Sequence, residues 1–222
     1  MRPPTSRSRC ARRIGTCLVS NGAVNTILLA DFAWWKEGLA QWNGISIMYQ
    51  REWEDADKIE LFTDACNTGY GATWEHRWFG GSWGPAALAA AQRSQRLSMP
   101  FLEALALVTA AFTWGPEWSG RKILFRCDAK AVLDAIDRGS SRTAGVMHLM
   151  RQLALAAIRC NFAFRCLHVP GKDNTLADAF SRGCSVQQVR ELVPGRPLQQ
   201  KPTPAVWPSL QEAADSAMQP SL

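Results

Sequence analysis

Between Arg121 and Val169 the sequence places two short apolar strands, RKILFRCD and NFAFRCLHV, on either side of two helical stretches, AKAVLDAIDRG and AGVMHLMRQLALAAIRC. Strands alternating with helices are joined by crossovers, which imply parallel pairing and helices packed on the sheet. Upstream, IELFTDACNTGYGATWEHRWFGGSW reads as an antiparallel meander. Its first strand is Ile59–Cys66, with turn chemistry over Asn67–Gly71. A second strand runs over Ala72–Trp78, and a bend at Gly80-Gly81 leads to a short third strand. PFLEALALVTAAFTWG is a helix, with Leu102, Leu105, Val108 and Phe112 at helical spacing and a stop near Gly115-Pro116. HVPGKDNTLADAFSR supplies the last helix. The order βββαβααβα predicts an α/β fold, a mixed five-stranded sheet flanked by helices.

Four segments follow from the changes in composition. Residues 1–25 are Arg-rich and read as a disordered basic tail; a mitochondrial presequence or a nuclear signal are the other readings. Residues 26–57 form a linker with a helix, N-capped at Asp31 and carrying a core-facing Phe32, Trp35, Leu39 stripe, and a strand at ISIMYQ. Residues 58–184 hold the main domain, and 185–222 read as a Pro/Gln-rich disordered tail. The net charge is +6, but Arg2, Arg7, Arg9, Arg12 and Arg13 precede the first acid, Asp31. The remainder carries about one net positive charge, so bulk charge alone argues only weakly for nucleic acid. The seven cysteines lack CxxC spacing, which fits a reducing compartment and argues against a zinc site. No apolar run approaches the roughly 18 residues needed to span a bilayer, and no secretory h-region is visible. The expected location is intracellular, cytoplasm or nucleus.

Chemistry concentrates in four acids that lie where elements end or begin: Asp64 in LFTDAC, Glu103 opening the long helix, Asp128 ending ILFRCD, and Asp178 in the last helix. Residues at the carboxyl ends of neighbouring parallel strands open into one crevice, where Asp64 and Asp128 can meet. Each acid has a plainer role as well. Asp128 would cap the following helix, Glu103 would complement a helix dipole, and Asp178 would be a solvated helix acid. Asp64, between an apolar strand and a Gly-rich turn, is less easily solvated. Crowded carboxylates raise one another's pKa unless divalent cations relieve the repulsion, and an all-oxygen set selects Mg²⁺ or Mn²⁺. Two such ions, about 3.5–4 Å apart, suit in-line displacement at phosphorus.

TDACNTGYGATW, FLEALAL, ILFRCDAKAVLDAI and HVPGKDNTLADAFSR together resemble the ribonuclease H domain of retrotransposon reverse transcriptases. The His-x-Pro-Gly-x-x-Asn-x-x-Ala-Asp-x-x-Ser-Arg ending is similar to that of gypsy-like elements. DFAWWKEGLAQWNGISI looks like the linker that precedes the domain in DIRS-type, tyrosine-recombinase elements. The resemblance implies a ribonuclease H-like fold and an endonuclease that cuts the RNA strand of RNA–DNA hybrids with two Mg²⁺ or Mn²⁺ ions. It implies that Asp64, Glu103, Asp128 and Asp178 are the metal-binding and catalytic acids. His168 would aid proton transfer or product release, and Asn174 would shape the turn before the last helix. Gly69 and Gly71 would be hairpin glycines. The implied partners are the hybrid and a reverse transcriptase polymerase domain or recombinase encoded elsewhere. Polymerase activity is absent from this chain, which lacks the paired-aspartate signature, and the sequence reads as a fragment of an element or a gene derived from one. It departs from many relatives at Pro100, where they carry Asn, and at Cys66, where Ser is common. Two rivals remain: a catalytically inactive nucleic-acid-binding or interaction module from a decayed element, and a transposase or integrase acting on DNA. Arg93–Arg96 (RSQR) would touch phosphates or form a solvated loop. Of the tryptophans, Trp34, Trp35, Trp74, Trp83 and Trp114 fall in apolar patterns that predict core packing more than base stacking.

Overall fold

The computed structural model describes residues 26–42, 58–92, 98–195 and 197–202. The strand expected at ISIMYQ and the RSQR segment lie outside them. The chain divides into two units, one containing helix α1, Thr26–Ala40, and the other lying within Gln41–Gln219. In α1, Asp31 sits a turn inside the helix instead of capping it, because the Leu28-Leu29-Ala30 run before it is itself good helix-forming sequence. Trp34 and Trp35 meet edge to face, and the Phe32, Trp35, Leu39 stripe, expected to face a core, is exposed.

The second unit is built on a six-stranded sheet in the order β5-β4-β1-β2-β3-β6. Strand β1 (Lys58–Ala65) pairs antiparallel with β2 (Gly69–Trp74), which pairs antiparallel with β3 (Arg77–Ser82). Helices α2 (Pro85–Ala91) and α3 (Met99–Trp114) follow, then a 3₁₀ turn over Gly115–Trp118. Strand β4 (Lys122–Cys127) lies parallel to β1. Helices α4 (Lys130–Arg138) and α5 (Ala144–Cys160) lead to β5 (Ala163–His168), which is parallel to β4. Helix α4 ends at Gly139, whose φ of +63° is the left-handed conformation that glycine adopts without cost. After a 3₁₀ turn at Gly171–Asp173 come α6 (Thr175–Ser181), α7 (Val186–Leu192) and the two-residue β6 (Gln199–Gln200). The first five strands are the mixed sheet predicted from the element order, with β4 and β5 joined by the expected crossover.

The meander differs from its sequence reading in phase. Gly69 and Gly71 lie inside β2 and Gly80-Gly81 inside β3. The first bend is confined to Asn67-Thr68, the start of the stretch expected for it, and the second falls at Glu75-His76, where Glu75 takes a φ of +56°. Glycine at a turn and glycine beneath a closely packed helix look alike in sequence. Here the glycines serve packing. Gly71 pairs with Asp64 on one side and Gly80 on the other, so the three share one face of the sheet. Helix α6 lies directly on that face. A Cβ on Gly71 would collide with the Ala177 carbonyl oxygen and lie 2.6 Å from Ser181 N, and one on Gly69 would lie 2.5 Å from Ser181 O.

Strand alternation divides the core in two. Phe79, Ala72, Trp74 and Leu61 face a large cluster with α3, α4 and α5, centred on the fully buried Trp74, Trp114, Trp118 and Phe125. Trp83 is buried there too, as the apolar pattern predicted. Trp78 faces the other way, into a smaller cluster with Leu176, Ala179, Phe180 and Val189. Its ring stacks on Phe180 at 4.0 Å and an interplanar angle of 4°.

That smaller cluster corrects the expectation for the C-terminal side. Part of the segment read as a disordered tail from 185 is ordered. Helix α7 carries a full capping box, Ser185 Oγ accepting from Gln188 N while Gln188 Oε1 accepts from Ser185 N. β6 adds the sixth strand, and Lys201 pairs with Glu117 at 2.7 Å. Arg77 also pairs with Glu117 and lies 3.5 Å over the Trp74 ring. These two cations hold the Glu117 carboxyl below its ordinary range, although partial burial works the other way. Pro and Gln content had concealed the buried Val189. Replacing Val189, fully buried, with alanine is expected to cost about 2 kcal/mol. The urea midpoint should fall without a change in slope; an unchanged midpoint would show that α7 is not part of the cooperative unit.

The five described cysteines, Cys66, Cys127, Cys160, Cys166 and Cys184, are all free. Among the described residues no helix is long and apolar enough to cross a membrane.

Candidate active site

Asp64 is the penultimate residue of β1, placed on the α6 face by strand alternation. It is only 5% exposed. Two side chains from the ends of α6 hold it. Ser181 Oγ donates to Asp64 Oδ2 at 2.5 Å. Asn174 Nδ2 donates to the Thr63 carbonyl at 3.0 Å and lies 3.5 Å from Asp64 Oδ1. Burial, only partly offset by the Ser181 bond, pushes the Asp64 carboxyl up to about 6, with Asp128 and Asp178 adding repulsion.

Glu103 comes from α3, one turn inside a helix that starts at Met99 with Pro100 in its first turn. Since it lies beyond the first turn, the dipole role considered for it does not apply. It is 7% exposed, and its Oε2 has no hydrogen-bond partner among the described residues. Burial first, then the charges of Asp64 and Asp128, push its carboxyl up to about 9, against a hydrogen bond from the Ala65 backbone.

Asp128 directly follows β4 and is exposed. It does not cap α4: the N-cap position is Ala129, and no side-chain capping bond forms. Gly171, from the loop that enters α6, brings its Cα close enough that a Cβ there would sit 3.5 Å from Asp128 Oδ2. One oxygen each of Asp64, Glu103 and Asp128 lie within 4.8 Å of one another. The parallel β1–β4 pairing brings the two aspartates to one sheet edge, and α3 carries the glutamate to them.

The other two predicted residues stand differently. Asp178 Oδ1 accepts from Arg182 Nε and Nη2, both at 2.7 Å, an i,i+4 pair along α6 and its end. Asp178 raises the Asp64 pKa but is not among the three clustered acids. His168 ends β5, opposite Cys127, and is exposed. It therefore stands at the sheet edge that Asp128 occupies. Asn174, expected to shape the turn before the last helix, stands between the 3₁₀ turn and α6, and its side chain bonds to β1. Sequence reasoning assigned no role to Ser181 or Arg182. The signal was in the motif: Ser181 and Arg182 follow Asp178 by three and four residues, on one helix face.

The residues fit a divalent cation. The donors are all carboxylate oxygens, which suits hard ions such as Mg²⁺ or Mn²⁺. Glu103 Oε2 is a buried acceptor without a partner among the described residues, and the three acids crowd together and repel one another. Compared with known proteins, no family model and no curated protein matches this chain. Among solved structures it is similar to ribonuclease H1 of the halophilic archaeon Halobacterium salinarum NRC-1. The identity is 17% and the TM-score 0.43, over 55% of this chain and 93% of that one.

Proposed function

We propose that this protein is a metal-dependent endonuclease that hydrolyses the RNA strand of RNA–DNA hybrids. The observation that carries this reading is the convergence of Asp64, Glu103 and Asp128 within 4.8 Å at one sheet edge. The HVPGKDNTLADAFSR segment, which carries the sequence resemblance, supplies the side chains that hold Asp64. When bound, Mg²⁺ or Mn²⁺ ions, two by the resemblance, supply Lewis acidity and an activated water. Asp64, Glu103 and Asp128 would hold them, with Asp178 joining as a fourth ligand if Arg182 releases it. Asn174 and Ser181 orient Asp64, and the exposed His168 would exchange a proton at the product oxygen. Selection of a hybrid over duplex DNA would come from 2′-hydroxyl contacts and groove shape. The proposed domain spans residues 58–184, extended by α7 and β6, with residues 26–57 as its linker and an intracellular location. We take its origin to be a retrotransposon reverse transcriptase. A polymerase or recombinase domain in a longer transcript would support that origin, and a transcript encoding neither would count against it.

The test is cleavage of an end-labelled RNA–DNA hybrid in Mg²⁺ or Mn²⁺. Wild type should cut the RNA strand only, and Asp64→Asn should not cut. Cutting of duplex DNA would favour a transposase-type enzyme. A second reading, a binding module of the same fold, is favoured by one observation: Asp178 is paired with Arg182 outside the cluster. A folded protein that binds hybrid but cuts nothing in either metal would establish that reading.

A further inference from the structure

Ser181 is a buried hydroxyl aimed at a candidate metal ligand, and the reaction outlined above gives it no direct contact with substrate. It is 2% exposed. Its single proton has two acceptors in reach, Asp64 Oδ2 at 2.5 Å and the Asp178 carbonyl at 2.9 Å. A bond to an ionised acceptor is the shorter and stronger kind, so the proton belongs to Asp64. The main chain of Ser181 is itself fixed: Cys66 Sγ donates to its carbonyl at 3.1 Å, and α6 rests against the backbone of Gly69 and Gly71. Gly71 is also the cross-strand neighbour of Asp64 and has no side chain, so no donor can come from that position.

We infer that Ser181 is a positioning residue that fixes the Asp64 carboxylate and thereby sets the divalent-cation affinity of the centre. This rests on the metal-centre reading above. With Oδ2 held, the carboxylate cannot swing about its χ angles, and its remaining lone pairs stay directed at the space shared with Glu103 and Asp128. Groups that orient a ligand from outside the coordination sphere are typically worth about 10–100-fold in metal affinity or activity. A hydroxyl that merely ended α6 would affect folding alone.

The experiment is Mn²⁺ titration by calorimetry, without nucleic acid, on the full chain and its Ser181→Ala, Ser181→Thr and Asp64→Asn variants. Thermal melting with and without Mn²⁺ is measured in parallel. Ser181→Ala should bind Mn²⁺ roughly tenfold or more weakly, and its melt should gain less from the ion. Ser181→Thr, which keeps the hydroxyl, should recover the affinity. On hybrid, Ser181→Ala should lower kcat and leave KM unchanged. Wild-type Mn²⁺ affinity in Ser181→Ala, with binding lost in Asp64→Asn, would overturn the inference and leave the metal centre standing. No Mn²⁺ binding by wild type would overturn both. Should the alanine variant lose its cooperative melt, Ser181→Cys, which keeps the shape and weakens the donor, carries the same comparison.

Discussion

Gly71→Ala should destabilise the protein by about 3 kcal/mol or more, beyond the usual cost of an overpacked core methyl. The added Cβ meets α6 backbone on two sides, at the Ala177 carbonyl oxygen and at Ser181 N, and it also lies 2.8 Å from Phe180 Cβ. Backbone cannot rotate away as a side chain can, so the helix must lift. Lifting it separates Phe180 from Trp78 and opens the cluster that includes Leu176 and Val189. It also withdraws Ser181 from Asp64, so divalent-cation binding should weaken in whatever fraction stays folded. The melting temperature of a domain this size should fall by roughly 10 °C. Gly139→Ala makes the control. Among the described residues nothing lies within 4 Å of its Cβ, and only its φ of +63° is unfavourable, so its cost should stay near 1 kcal/mol. Equal losses at the two positions would show that conformation, not the seating of α6, is what Gly71 provides.

The same glycines explain what could and could not be read from the sequence. The crossover from β4 to β5 was legible because ILFRC and FAFRCL are compact apolar runs bracketed by helical periodicity. Helix α5 was legible to the residue, as Ala144–Cys160. The meander was shifted because Gly69, Gly71, Gly80 and Gly81 look like turn chemistry. Gly69, Gly71 and Gly80 admit a helix encoded a hundred residues later, and Gly81 makes room for the Tyr70 ring, which are tertiary facts with no local signature. Helix α7 was missed because its one buried contact, Val189, sits in seven residues too short to show a period. Within the site, the convergence of Asp64, Glu103 and Asp128 followed from strand ends and the start of a helix. The pairing of Asp178 with Arg182 did not, since an i,i+4 neighbour competes locally with any distant partner. Asn174 and Ser181 carried the motif without disclosing their target, because both reach across to β1.

Glu103→Gln should stabilise the protein in chelator and abolish its stabilisation by Mg²⁺ or Mn²⁺. The sign follows from the folded pKa of about 9 against an ordinary 4.5. Between those values the folded protein binds a proton that the unfolded chain has released, so stability falls as pH rises through the window and is undiminished below about 4.5. Asp64, raised to about 6 from 3.8, acts in the same direction at lower pH. From pH 4.5 to 7 the Glu103 contribution amounts to about 3 kcal/mol. Glutamine removes the titration while keeping the shape. Its amide can donate toward the neighbouring carboxylates, as the protonated acid can. In chelator, therefore, wild type should melt progressively lower from pH 5 to 9, and the variant should melt higher than wild type at pH 7 with a flatter profile. Adding Mg²⁺ or Mn²⁺ should reverse the order, because a cation favours the ionised glutamate and gains little from a neutral amide. If the variant were instead the less stable protein in chelator, the ionised Glu103 would have to be a stabilising group. The crowding of three acids would then not be the strain that a cation relieves.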